Sequence, residues 1–383
     1  MTNDEIAVED TAEPTLYERL SSFENLLYAY RRAARGKRNR PDVATFDYHL
    51  EGNLLQLRNQ LRSHRYRPGP YHRFTIADPK PRVISAAPFR DRVVHHALCG
   101  VIEPIFERRF ISDSYASRQG KGIHQALDRC THFARRYRYV LRCDIVQFFP
   151  SIDLAILRRI LGRVIREDET LALCDLILAG GAHELTDHYE LVVFPGDHPE
   201  DAALRARGLP IGNQTSQFWA NCYLNSLDHF IKEELRCRAY LRYVDDFLLF
   251  SDDKATLHYW KRAISAFLAS HLRLILHERE SVVTPVRDGV PFLGFRVFPD
   301  HRRLRRRNGI AFSRRLRAMR WDYHAGTLPL ETVTRRVRGW VAHVEHGDTW
   351  GLRTSLLTHE VFVPPGALPD VRSEGIAYLR EDV

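Results

Sequence analysis

Long apolar runs are absent from this sequence: no stretch approaches the ~20 residues that a membrane-spanning helix needs. The first residues do not read as a secretory signal peptide either. Met1 to Pro14 is acidic and polar, where a secretory signal would carry a basic end and an apolar core. The six cysteines, Cys99, Cys130, Cys143, Cys174, Cys222 and Cys237, are scattered and contain no C-x-x-C pair. That spacing argues against a zinc site or a disulfide framework and fits a reducing cytoplasm, with most of the thiols acting as small buried hydrophobes. No internal repeat is visible. Acidic residues fall short of basic ones, 48 against 57, which leaves a formal charge of +9. Such a balance favours polyanionic partners, nucleic acid first and an anionic membrane second. Lysine is scarce beside arginine, which suits forked phosphate contacts and is equally what a GC-rich genome encodes.

What is present is enough for a large core. The 383 residues, 44% of them hydrophobic, exceed what one compact domain usually holds, so a multi-lobed enzyme or two or three small domains is the expectation. Residues 16–66 read as two helices, the first with Leu16, Leu20, Phe23, Leu26, Leu27 and Tyr30 at helical spacing, the second through Leu50, Leu54, Leu55 and Leu61. A basic stretch from Arg65 to Pro88 alternates as a β-hairpin should. Helical patterns return at 91–109 and 121–136. Tyr139 to Ile145 is a strand, with a helix from about Asp153. Residues 180–208, rich in Gly, His and acids, read as an irregular insertion. Gln214 to Leu235 is a long helix, and Tyr240 to Phe250 is two short strands meeting at Asp245-Asp246. A helix near 254–271, a strand near 272–283 and Val290 to Phe298 follow. From His301 arginine dominates, with two amphipathic helices expected: Ser313 (N-cap) to Gly326 (C-cap), then one carrying Leu330, Val333, Val337, Trp340, Val341 and Val344.

The chemistry centres on Tyr243-Val244-Asp245-Asp246. Two adjacent carboxylates between apolar strands repel each other strongly in a low-dielectric site, and a divalent cation relieves that cost. Taken alone, a polar hairpin turn is the stronger reading. A third carboxylate, Asp144, ends an apolar strand and is followed by Gln147-Phe148-Phe149-Pro150. It could cap the next helix, but that helix is expected to begin later. Magnesium takes octahedral oxygen coordination from one or two carboxylates, phosphates and water, and two such ions can activate a 3′-hydroxyl and stabilise departing pyrophosphate.

In their order, the Asp-x-x-x-Phe-Phe strand, a Gly-containing helix start, Tyr-x-Asp-Asp and Phe292-Leu293-Gly294-Phe295 resemble the reverse transcriptases, over Tyr71 to Phe298 with a basic thumb beyond. The resemblance implies an α+β fold, a right-hand polymerase with fingers, a ferredoxin-like antiparallel palm and a helical thumb. Asp144, Asp245 and Asp246 would be catalytic and would hold two Mg2+ ions, for which Mn2+ can substitute, helped by the Ile145 carbonyl. Phe149 matches an aromatic steric gate against a ribose 2′-hydroxyl, with a core aromatic as the other reading. Lys80 and Arg82 resemble residues that hold the incoming triphosphate, beside Ile211 and Gly212; a solvated basic hairpin is the alternative. Gln217, Gly294, Arg305, Arg314 and Arg317 would contact nucleic acid. The expected division is a flexible N-terminus 1–15, fingers and palm 16–300 with the insertion 180–208, a basic helical thumb 301–358, and a tail 359–383.

Within that family, Ile211-Gly212-Asn213 followed by Ser216-Gln217 resembles the enzymes of diversity-generating retroelements, as do Glu24-Asn25-Leu26-Leu27, Asp78-Pro79-Lys80 and Asp91 to Leu98. The resemblance implies error-prone copying of a template RNA from a primer with deoxynucleoside triphosphates, a small basic accessory protein, a bacterial cytoplasm and no membrane. Ile211 cannot donate the hydrogen bond that a Gln there would offer the nucleotide, which weakens geometric discrimination. The alternatives are an antiviral defence enzyme using a non-coding RNA or protein-primed, untemplated synthesis, and a non-catalytic RNA-binding scaffold. Where relatives carry a Lys that protonates pyrophosphate, this chain reads His277-Glu278-Arg279-Glu280-Ser281, and Arg279 is a poor proton donor. Arg118 to Gly122 resembles a phosphate-cradling loop but lacks Gly-Lys-Ser/Thr. His343-x-x-His346 reads as a solvated helix face.

Overall fold

The computed structural model describes residues 13–76, 82–182, 184 and 191–364. Its helices are α1 (Leu16–Leu20), α2 (Phe23–Ala34), α3 (Pro41–Tyr48), α4 (Leu50–Arg62), α5 (Phe89–Glu107), α6 (Ile123–Ala134), α7 (Phe148–Ser151), α8 (Leu154–Gly162), α9 (Asp168–Gly181), α10 (Pro199–Leu204), α11 (Gln214–His229), α12 (Lys254–Phe267), α13 (Arg306–His324), α14 (Leu330–Val344) and α15 (Trp350–Thr358). Its strands are β1 (His72–Ile76), β2 (Arg82–Ala86), β3 (Tyr139–Cys143), β4 (Tyr240–Tyr243), β5 (Asp246–Ser251), β6 (Val282–Pro285), β7 (Val290–Phe292), β8 (Phe295–Val297) and β9 (Arg302–Leu304). This is the expected α+β content. The described chain divides into one compact unit of 1–122, 141–249 and 255–282, and a second of 123–140, 250–254 and 283–383. The N-terminus as far as 12, Asp78-Pro79-Lys80, and the tail from 365 lie outside the described residues.

The two helices expected over 16–66 are four. Ser22 interrupts the first, because its side chain accepts from Asn25 N–H at 3.2 Å and starts α2 afresh. Gly36, at φ 69°, follows the end of α2, and Pro41 opens α3 at a position where its missing N–H costs nothing. α2 presents Leu26, Ala29, Tyr30, Ala33 and Ala34 as one buried stripe against the almost wholly buried α5. The three alanines leave room for close approach. β1 and β2 pair antiparallel as the alternation predicts.

A four-stranded sheet has the order β4-β5-β3-β6. The strand expected over 272–283 is mostly not one. Arg273 is left-handed at φ 48°, and only a single bridge, Ile145 to Leu276, precedes β6. The described part of the 180–208 stretch is less irregular than its composition suggests, for it holds α10 and contributes Asp197 and Arg205 to a buried ion cluster. Asp153 and Asp197, 1% and 2% exposed, share Arg273 at 2.9 and 2.7 Å, while Arg205 pairs with both. Asp153 also caps α8, accepting from Ile156 N–H at 3.0 Å.

In the second unit β7, β8 and β9 form an antiparallel sheet, the last strand being unforeseen. α13 begins at Arg306, so Ser313 lies inside the helix and is not its cap. Phe312, Leu316, Met319 and Val333 form the core of α13 and α14, with Trp340 stacked on Phe312 at 3.7 Å. α15 was also unforeseen. All six cysteines are buried and unbridged. Among the described residues, no helix is long and apolar enough to cross a membrane.

Candidate active site

β4 and β5 pair Tyr243 with Asp246, so the connecting turn is Val244-Asp245. Val244 adopts φ 58°, a conformation that costs a β-branched residue energy. The strain is held from below. Arg242, fully buried, donates through Nη1 to the Val244 carbonyl at 3.0 Å and to Asn221 Oδ1 at 3.1 Å. Its Nε and Nη2 bond both oxygens of the equally buried Asp228, at 2.8 and 2.6 Å, and Tyr240 donates to the same carboxylate. Sequence reasoning missed this support. Its signal was a guanidinium inside an otherwise apolar strand, which is rarely buried without a paired acid.

Asp246 opens β5, and Asp144 follows β3, its neighbour in the sheet. Burial raises the Asp246 carboxyl to about 7; Asp144 and Asp245 push it the same way, and Arg142 opposes them. Asp144 is raised too, by burial first, against Arg142 and His277. Arg142 Nε stands 3.3 Å from Asp246 Oδ1, and Nη1 stands 3.4 Å from Glu280 Oε2. The three expected carboxylates therefore lie within one electrostatic neighbourhood, with Arg142 as their counter-charge. Among the described residues no three His, Cys, Asp or Glu side chains are grouped for metal ligation as they stand. The donor set is nonetheless of the hard-oxygen kind that suits Mg2+. Ile145 is buried beside Asp144, and the Asp144 carbonyl accepts from His277 N–H at 2.8 Å.

A second group of expected residues is gathered in the same unit. Phe149 is half-buried on α7, edge-on to Phe148, and its carbonyl accepts from Leu209 N–H at 2.9 Å. The loop then runs to Ile211, whose carbonyl accepts from Ser85 N–H at 3.1 Å, and Gly212, at φ 114°. A Cβ on Gly212 would meet Ile84 Cγ2 at 2.9 Å, so only glycine lets this loop lie against β2. Asn213 fastens the two together, donating to Ser85 O at 2.9 Å and accepting from Ala87 N–H at 3.2 Å. Arg82 begins β2 at the other end, though its side chain lies outside the described residues, as does Lys80. Gln217 is exposed and accepts from Ser117 Oγ at 3.2 Å.

Other expectations are revised. Arg118 is committed to its own loop, bonding Glu107 and the carbonyls of Ile111 and Ser114, and Lys121 donates to the Ser112 carbonyl. Neither cation is aimed outward as a phosphate cradle would require. In the second unit, Gly294 turns β7 into β8 at φ 88°, and its carbonyl accepts from Arg305 N–H at 3.0 Å and Asn308 Nδ2 at 3.1 Å. Arg314 and Arg317 are exposed on α13. His343 is half-buried against Phe295 and His124, and His346 stacks on His124 at 3.5 Å, so this pair is not simply a solvated face.

Comparison with known proteins adds an independent line. The family model described as reverse transcriptase (RNA-dependent DNA polymerase) matches residues 77–297. Protein YkfC of Escherichia coli (strain K12) is 26% identical over 289 residues, 65% of this chain and 72% of that one. The group II intron-encoded protein LtrA of Lactococcus lactis subsp. cremoris is 25% identical over 190 residues, covering 49% of this chain and 29% of its own length. Among solved structures, an apo telomerase from Candida tropicalis aligns with a TM-score of 0.46 at 13% identity, covering 67% of this chain and 60% of that one. With the matched family model spanning more than half of its length, and the Tyr-x-Asp-Asp turn and Asp144 inside that span, this chain belongs to the reverse transcriptase family.

Proposed function

We propose that this chain copies RNA into DNA by two-metal nucleotidyl transfer, with Asp144, Asp245 and Asp246 as ligands and the Ile145 carbonyl assisting. The observation that carries the reading is the crowding of these carboxylates around a half-buried Asp246 raised to about 7. Bound Mg2+ or Mn2+ would activate the primer 3′-hydroxyl and neutralise the leaving pyrophosphate. The chain's own residues do the rest. Arg142 counters the carboxylate charge until it is relieved, and Arg242 with Asp228 fixes the turn that aims Asp245 and Asp246. Phe149 closes the space beside the sugar, while Ile211 and Gly212 form one wall of the nucleotide site with Arg82 and Lys80. Gln217, Gly294, Arg305, Arg314 and Arg317 hold template and primer. Fingers and palm over 16–300 with the insertion 180–208, a basic helical thumb over 301–358 and a tail over 359–383 complete this division.

The finer biological reading is error-prone copying within a diversity-generating retroelement, supported by the Ile211-Gly212-Asn213 and Ser216-Gln217 pattern. Template RNA, a primer, deoxynucleoside triphosphates and a small basic accessory protein are its partners, and a bacterial cytoplasm is its setting. Primer extension on an RNA template with Mg2+, followed by sequencing of the products, tests both levels. Incorporation with errors concentrated opposite adenine, and fewer errors after Ile211→Gln, is the expected result. No incorporation with either metal sinks the polymerase reading, and an unchanged error spectrum removes Ile211 from the account of fidelity.

A further inference from the structure

The first unit holds a polar cavity of about 200 Å³ that none of the expected catalytic carboxylates lines. Arg32 and Ala33 from α2, Lys37 from the loop after it, and Arg92, His95 and His96 from α5 form its walls, and the turn from Gly212 to Gln214 with Gln217 of α11 forms the remainder. Among the described residues lining it, none is acidic. Two acids stand just behind. Asp42 pairs with Arg92, and Glu103 accepts from Gln214 Nε2 at 3.0 Å in the field of Arg32.

Residues that line this cavity carry buried nitrogens with no hydrogen-bond partner in the protein. His95 is 1% exposed, and its Nδ1 has no hydrogen-bond partner. His96 Nδ1 and Arg92 Nε are buried in the same state. A buried polar atom left unpaired costs roughly 1–3 kcal/mol, so three on neighbouring residues of one wall are informative. Burial holds His95 at about 3 and His96 at about 4, so both rings are neutral at ordinary pH, each with one N–H and one bare nitrogen. α11 starts at the same wall. Asn213 does not cap it, because its side chain is engaged by Ser85 and Pro210, so the first N–H groups of a 16-residue helix keep their positive field. Lys37 is already held below its ordinary value, by burial first and then by Arg92 and Arg40, a sign of cations crowded beyond what Asp42 offsets.

Three cations against two carboxylates that stand behind the wall, Asp42 paired with Arg92 and Glu103 bonded to Gln214, with neutral imidazoles and a helix start between them, select a compact and multiply charged oxyanion. We infer that this cavity is a phosphate-binding site, separate from the carboxylate turn, which takes one phosphate bearing two negative charges. The source is either free phosphate or the terminal phosphate of a nucleic-acid strand. The inference makes no use of the polymerase reading and survives its failure.

Calorimetric titration of the full chain with inorganic phosphate, in phosphate-free buffer at fixed chloride, tests it. One saturable site is expected, weakened at least about tenfold in Arg32→Gln and again in Lys37→Gln, the loss of one charge-assisted hydrogen bond each. Circular dichroism of each variant confirms that it folds, and two independent variants guard against one that does not. Competition then separates the sources. A short RNA bearing a 5′-phosphate that displaces phosphate, where its 5′-hydroxyl twin does not, assigns the site to strand ends; displacement by neither assigns it to the free ion. Absence of saturable binding overturns the inference. So does binding by both variants equal to that of the parent, or equal competition by the two RNAs, which would mean an internal phosphodiester suffices.

Discussion

Arg242 and Asp228 form an ion pair in which neither side chain reaches solvent, Nη2 lying 2.6 Å from Oδ2. The pair sits directly before the Tyr243-Val244-Asp245-Asp246 turn, and Arg242 commits another donor to the Val244 carbonyl. It thus couples core stability to the direction in which two site carboxylates point. Asp228→Ala leaves a buried guanidinium without its counter-charge, and a loss of about 3–5 kcal/mol is expected. Replacing both partners together, Arg242→Met with Asp228→Leu, should cost much less stability yet still lose primer extension, because the turn is no longer held. Urea unfolding beside an extension assay measures both. A double variant with full activity would show that the pair has no part in aiming the turn.

Much of this arrangement was legible in the sequence, for particular reasons. The β4–β5 hairpin announced itself because Leu241 and Phe247 to Phe250 are apolar around two acids, and charge in such a place is informative. The Gly212 loop was recognisable, although its physical reason, close approach to Ile84, shows only in three dimensions. What sequence could not yield were pairings over long separations. Asp153 with Arg205 and Arg273, and Arg242 with Asp228, join residues whose spacing carries no period. Helix ends were read poorly where caps lacked a side-chain signal. α13 starts at Arg306 without one, so the serine at 313 attracted the assignment. The break between α1 and α2 was missed for the opposite reason: Ser22 is a good cap inside a run of apolar residues that helical spacing alone joins together.

Stability should fall as the solution is acidified below pH 6.5, and His95 and His96 set the slope. Both are held neutral by burial, at about 3 and about 4 in the folded chain against 6.5 unfolded. Between roughly pH 4 and 6.5 the unfolded chain therefore binds two protons that the native one refuses. Each histidine removes up to about 1.4 kcal/mol per pH unit in that window. Asp246, raised in the folded state, acts with the opposite sign over part of the same range, so the comparison must be between the parent and a His95→Gln, His96→Gln variant. Urea midpoints at several pH values in phosphate-free buffers should show a shallower acid slope in the variant. Parallel slopes would mean that the two rings are protonated in the native state.

Binding of primer–template should weaken steeply with salt. Arg314 and Arg317 are exposed on α13, in a stretch where arginines far outnumber acids. Each phosphate that is no longer neutralised should reduce the slope of log K against log salt by about 0.9 for a duplex. Arg314→Gln with Arg317→Gln should thus flatten the slope by up to about 1.8 without changing preference among sequences, since backbone contacts carry no base information. Fluorescence anisotropy from about 50 to about 200 mM salt is the measurement. An unchanged slope would remove α13 from the nucleic-acid surface.

Asp246 makes a prediction in which stability and activity move in opposite directions. Its carboxyl stands at about 7 in the folded chain against an ordinary value of 3.8. A carboxyl raised on folding contributes fully below its unfolded value, and that contribution is lost as pH rises through the folded one. At pH 8 without divalent cations, the ionised group is therefore a burden that Arg142 only partly offsets. Asp246→Asn removes the burden, so the variant should melt higher than the parent at pH 8 and the same or lower at pH 4. Mg2+ should raise the melting temperature of the parent, because a ligand bound only by the folded state stabilises it, and should do little for the variant. Extension should fall at least about 100-fold, since the lost charge stabilisation is worth several kcal/mol. A variant that extends primers normally, or that gains the same Mg2+ stabilisation as the parent, would place the metal elsewhere and Asp246 outside the chemistry.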